Sequence, residues 1–160
     1  MPDTTASAAP FRSVVAVRWS DFDQYGHANN TAFLEYAQQA RVDFFVRGLK
    51  ASSAPDFPAS VVRRLTVDYQ RTLLPDTHEV FVDTEITAFG RTSYTLRQTV
   101  RDEHEHITAV LDIVMVMFDL ATATPVEVPS EARRELQRYV TPELEAAGGG
   151  AGAAGGSGTE

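Results

Sequence analysis

The apolar positions of the chain follow two rhythms, a helical one early and a strand one over most of the remaining length. Between residues 30 and 47, Phe33, Ala37, Ala40 and Phe44 recur at spacings of four, three and four, the repeat of one helical face. Tyr36 and Phe45 widen that face, and Glu35, Gln38, Gln39 and Asp43 occupy much of the rest. The pattern predicts a long helix that stops at Gly48. Ahead of it, Val14, Val15, Val17 and Trp19 predict a first strand over residues 11–19. After it, strands are predicted over 59–70, 78–89, 91–101 and 106–120. In the second of these, Val80, Val82, Thr84 and Ile86 share a side. In the third, Tyr94, Leu96, Gln98 and Val100 oppose Thr95, Arg97, Thr99 and Arg101. The last is apolar throughout residues 113–118, as expected of a strand covered on both faces. A turn at 102–105 joins the last two strands, and Ser130 is placed to cap a short helix ending near Tyr139. The order β-α-β-β-β-β-α is an α+β arrangement: a long central helix and a five-stranded antiparallel sheet that must wrap or cover it.

Composition sharpens the boundaries. Seven of the ten glycines fall at 148–158, so residues 145–160 read as a flexible Gly/Ala-rich tail. Residues 1–10 read as a second flexible segment, which leaves 11–144 as one domain of the 160-residue chain. The absence of cysteine excludes a disulfide scaffold and a thiol nucleophile. A net charge of −8 argues against nucleic acid and anionic membranes as partners. The basic residues are thirteen arginines and Lys50, so an anionic ligand needs a local arginine cluster. No stretch is long and apolar enough for a membrane span, and no export signal is visible, so the expected location is the cytoplasm.

Candidate chemistry concentrates at residues 18–30. Asp21, Asp23, Gly26, His27, Asn29 and Asn30 lie between the end of a strand and the start of the long helix. A helix start leaves several N–H groups unpaired and carries partial positive charge, so it can hold a developing oxyanion. A carboxylate beside it can attack an acyl carbon or activate water. Plainer readings stand next to these. Asp23 suits a turn, Asp21 suits loop support through backbone N–H groups or Arg18, and His27 suits a loop-orienting hydrogen bond. A calcium loop starting at Asp21 fails, because its fifth and twelfth positions are Tyr25 and Ala32. His104 and His106, with Glu103 and Glu105, read as a solvated turn rather than a metal clip. No metal site and no cofactor are expected, and no nucleophile-elbow, phosphate-loop or dinucleotide motif is present.

The string D-x-D-x-x-G-H-x-N-N at 21–30, followed by an aromatic-rich helix and then strands, resembles the hotdog-fold acyl-CoA thioesterases of the 4-hydroxybenzoyl-CoA thioesterase family. The resemblance runs from about residue 14 to about residue 139. It includes Val67-Asp68-Tyr69 before Pro75, Phe89-Gly90 with Ser93, Phe118-Asp119 and Pro129. It implies hydrolysis of an acyl-CoA to a free acid and CoA. Asp23 would be nucleophile or general base, and the Asn30 N–H would polarise the thioester carbonyl. Gly26, His27 and Asn29 would shape the substrate loop. It also implies a homodimer or homotetramer with its site at the subunit interface. Arg91 is the first candidate for the CoA phosphates, followed by Arg63, Arg64, Arg133 and Arg134. A sister branch carries its carboxylate about two turns into the helix, where this chain has Ala37 and Gln38. Glu35 and Gln39 share a face near the helix entry and either meet the acyl group or its water, or bond within a dimer. Two alternatives remain. One is a non-catalytic module binding acyl-CoA or an acyl carrier. The other is a hotdog hydratase, whose histidine order differs from His27-x-Asn29-Asn30.

Overall fold

A computed structural model describes residues 9–49 and 58–141. Lys50, the Ser/Pro-rich segment after it, residues 1–8 and the Gly/Ala-rich tail lie outside the described residues. The elements are β1 (Phe11–Ala16), α1 (Asn30–Asp43), β2 (Ala59–Tyr69), β3 (Glu79–Phe89), β4 (Ser93–Arg101), β5 (Ile107–Asp119), β6 (Thr124–Pro125) and α2 (Ser130–Gln137). This is the expected α+β hotdog arrangement, a central helix embraced by a curled antiparallel sheet.

The sheet order is β1-β3-β4-β5-β2, with the two-residue β6 pairing β5. The meander expected after the helix is therefore only β3-β4-β5. β2 skips its sequence neighbour and pairs antiparallel with β5, because β1 already occupies the free edge of β3. The period-two readings of β3 and β4 describe their inner faces: Val80, Val82, Thr84 and Ile86, then Tyr94, Leu96, Gln98 and Val100, are all buried. β5 departs from its reading. Ala109, Leu111, Ile113, Met115 and Met117 are buried, and on the outer face Val116 is buried too, whereas Val110, Asp112 and Val114 stay half-exposed. Apolar residues on both faces hide the alternation.

α1 buries Phe33, Tyr36, Ala37, Ala40 and Phe44, as its spacing requires, and packs over β1, β3 and β4. Its final turn widens into a π-turn, Phe44–Gly48, closed by the Leu49 N–H on the Phe44 carbonyl at 3.1 Å. Gly48 does not take the left-handed conformation of a helix stop. It is required by close approach, since a Cβ there would stand 2.9 Å from the Phe44 ring and 3.2 Å from Phe11. Tyr139, just after α2, packs edge-on against Phe11 and Phe44 and donates its hydroxyl to the Gly48 carbonyl at 2.9 Å. α2 itself starts after Pro129, and Ser130 makes no capping bond. Trp19 lies beyond β1, in a short 3-10 turn, and is 93% exposed. Among the described residues, no helix is long and apolar enough to cross a membrane.

Candidate active site

The loop from β1 to α1 is built around Asp21. Its carboxylate accepts the Arg18 N–H at 2.8 Å, the Arg18 guanidinium at 2.7 and 3.0 Å, and the Tyr36 hydroxyl at 2.8 Å. Its carbonyl takes the Asn29 N–H at 2.7 Å. Burial raises the Asp21 pKa, but the bonds from Arg18 and Tyr36 outweigh burial and hold it below the usual carboxylate range. Burial, reinforced by the bond to Asp21, pushes the Tyr36 phenol well above its ordinary value. Asp21 is thus the loop's anchor, its buried carboxylate held by the exposed Arg18 on one side and the buried Tyr36 on the other.

Asp23 sits two residues on and is exposed. Its Oδ1 accepts the Tyr25 N–H at 2.8 Å and the His27 N–H at 3.3 Å. Its own N–H and carbonyl bond the His27 carbonyl and the Gly26 N–H, at 2.9 and 3.0 Å. Gly26 makes this reversal possible at φ +72°, a conformation that side chains with a Cβ rarely adopt. The turn-forming role of Asp23 is real and uses one oxygen. Among the described residues, no group bonds the other, Oδ2.

Asn29 caps α1, its Oδ1 accepting the Thr31 N–H at 3.2 Å, so Asn30 is the first helical residue. The Asn30 N–H has no acceptor among the described residues, as the first turn of a helix leaves it. The Tyr69 hydroxyl at the end of β2 donates to the Asn30 carbonyl at 3.1 Å, and its ring meets Phe33 edge-on at 5.5 Å. Asp23, His27, Asn30, Phe33, Tyr69 and Arg71 line a cleft of about 310 Å³ here. The structure therefore brings Asp23, His27 and Asn30 to one cavity, with Gly26 and Asn29 holding the loop behind it.

Arg91 is not brought there. It follows β3, at the opposite end of that strand from the candidate cleft, and pairs with Glu127 at 3.0 Å on the surface. The cleft's basic group is Arg71, which sequence reasoning misses. The signal for it is positional: β2 ends at Tyr69, beside the helix start, so the residues just after it flank the site. Arg63 and Arg64 line a separate groove with Val114, and Arg133 stacks on Phe89 while bonding the Gly90 carbonyl at 2.8 Å. Glu35 and Gln39 line an open groove along the outer face of α1 with Gln38, Val42, Asp43 and Val46, and Glu35 pairs with Arg18. Among the described residues, no three His, Asp or Glu side chains group as metal ligands.

Comparison with known proteins agrees with this architecture. Residues 17–136 match the family described as the thioesterase-like superfamily. The chain belongs to that superfamily. A thioesterase from Thermus thermophilus, solved with coenzyme A and zinc, is 31% identical with a TM-score of 0.69, over 81% of this chain and 98% of that one. A protein from Bacillus stearothermophilus, described as a predicted thioesterase, is 27% identical with a TM-score of 0.73, over 82% and 97%. The uncharacterized protein YsmA of Bacillus subtilis is 31% identical over 86 residues, which span 54% of this chain and 57% of YsmA.

Proposed function

We propose that this protein hydrolyses an acyl-CoA thioester to the free carboxylic acid and CoA. One observation carries the reading: Asp23, whose Oδ2 has no donor among the described residues, and Asn30, whose helix N–H has no acceptor among them, line the same cleft. The thioester carbonyl oxygen takes the Asn30 N–H, where the helix start stabilises negative charge. Asp23 Oδ2 attacks the carbonyl carbon or removes a proton from the water that does. Collapse of the tetrahedral intermediate breaks the C–S bond and releases the CoA thiolate, which takes up a proton; where Asp23 is the nucleophile, water then hydrolyses the acyl-aspartate anhydride to the free acid and restores the carboxylate. Arg71 stands where a CoA phosphate or pantetheine amide can reach it. Coenzyme A in the Thermus thermophilus relative supports CoA as the carrier.

The active unit in this reading is a homodimer or a pair of dimers. β2 is an eleven-residue edge strand whose outer edge is unpaired among the described residues, with Val62 45% and Tyr69 44% exposed. Such an edge is a template for another strand, and a second copy supplies one. Free-thiol release from a panel of acyl-CoAs tests the proposal. Turnover is expected. Acyl-CoA binding without turnover would favour the binding module, and loss of enoyl absorbance without thiol release would favour a hydratase.

A further inference from the structure

The arginines at the surface are mostly partnered. Arg12, Arg18, Arg47, Arg91, Arg97, Arg101 and Arg138 each face a carboxylate. Arg41, half-buried on α1, does not. Its hydrogen bond is a long one, 3.3 Å to the neutral Gln98 Oε1, and Gln98 itself is fully buried. Burial lowers the Arg41 pKa, and the structure offers that cation no anion among the described residues. A desolvated guanidinium held by one neutral acceptor is costly unless something else arrives to pair with it.

Its surroundings supply further donors and a line of half-buried apolar side chains. Tyr94 lies within electrostatic range of Arg41, and burial pushes its phenol up to about 12, so it stays protonated. The Tyr94 hydroxyl donates to Ser60 Oγ at 2.9 Å, and among the described residues the Ser60 hydroxyl has only the Met117 sulfur at 3.4 Å, a weak acceptor. Ser60, Val62, Leu65, Val67 and Tyr69 oppose the buried inner residues of β5, so they share the inner face of β2. β2 runs antiparallel to α1 along this line. Tyr69 stands beside Asn30 at one end, and Ser60 stands with Tyr94 near Arg41 at the other. Between the ends lie Leu34, Leu65 and Val67, half-buried against the core. Arg41 is eleven residues beyond Asn30, about 16 Å along the helix axis, a span suited to an acyl chain of roughly eight to twelve carbons.

We propose that Arg41, with Ser60, receives a carboxylate at the far end of the acyl group, so that the protein selects carboxyl-terminated acyl-CoAs over neutral ones. This rests on the thioesterase reading above. The test compares hydrolysis of ω-carboxyacyl-CoAs with neutral acyl-CoAs of equal length. The wild type should favour the carboxylated series by tenfold or more in kcat/KM, roughly the worth of one charge-assisted hydrogen bond. Arg41→Gln should erase that preference while leaving the neutral series within about twofold, and Arg41→Lys should restore part of it. If Arg41→Gln does not fold, Arg41→Lys and Ser60→Ala, each expected to reduce the preference, take its place. Equal rates for the two series in the wild type would overturn the proposal. So would a preference untouched by substitution, or a smaller oligomer as the sole effect of Arg41→Gln. A protein that hydrolyses neither series fails the thioesterase reading instead. Arg41 is then judged by calorimetry with the free eight-carbon dicarboxylate, where tenfold weaker binding to Arg41→Gln supports the site and no binding to the wild type removes it.

Discussion

Two carboxylates two residues apart, Asp21 and Asp23, take opposite roles because of what surrounds them. Asp21 is 4% exposed and holds Arg18 and Tyr36, whereas Asp23 is exposed and keeps one oxygen open. Asp21 titrates below an unfolded carboxylate, so it stabilises the fold at pH values above about 4, and that contribution is lost as pH falls through its lowered folded value. Asp21→Asn should cost about 1–3 kcal/mol at neutral pH, with the gap to wild type narrowing in thermal melts below about pH 4. Asp83, raised by burial but lowered further by Arg12 and Arg101, leaves an acid-sensitive slope in both proteins. Gly26→Ala meets only an ordinary contact, with Pro75 Cγ at 3.7 Å, yet must keep φ +72°. It should lower stability by about 1–2 kcal/mol, measured by urea unfolding, and loosen the loop that presents Asp23.

At the scale of elements, α1 and the inner faces of β3 and β4 were legible because periodicity is a local property and one face of each is buried. Pairing was not. That β2 joins β5 depends on which edges remain free after β1 docks, and no single segment carries that information. The candidate loop was legible as a string, so Asp23, His27 and Asn30 stand out, while Arg71 belongs to the site only through the antiparallel course of β2 and α1. Gly48 shows the same limit. Its spacing marks the helix end correctly, but its reason is the approach of Phe44 and Phe11, a long-range fact. Gly48→Ala should therefore destabilise by about 1–3 kcal/mol through overpacking, read as a lower urea midpoint with an unchanged slope.

At the scale of the whole molecule, the sheet has a closed inner face over β1, β3 and β4 and, among the described residues, an open margin at β2. A charge on that margin should block pairing with another copy. Val62→Lys is expected to yield a smaller species in light scattering, with wild-type far-UV dichroism. The cleft at the helix start is where this architecture meets chemistry, and the most direct test is Asp23→Asn. Its turnover number for acyl-CoA should fall by about a thousandfold or more, while calorimetry with a non-hydrolysable acyl-CoA thioether gives wild-type affinity. Turnover within a few fold of wild type would show that the thioester is cleaved without the Asp23 carboxylate.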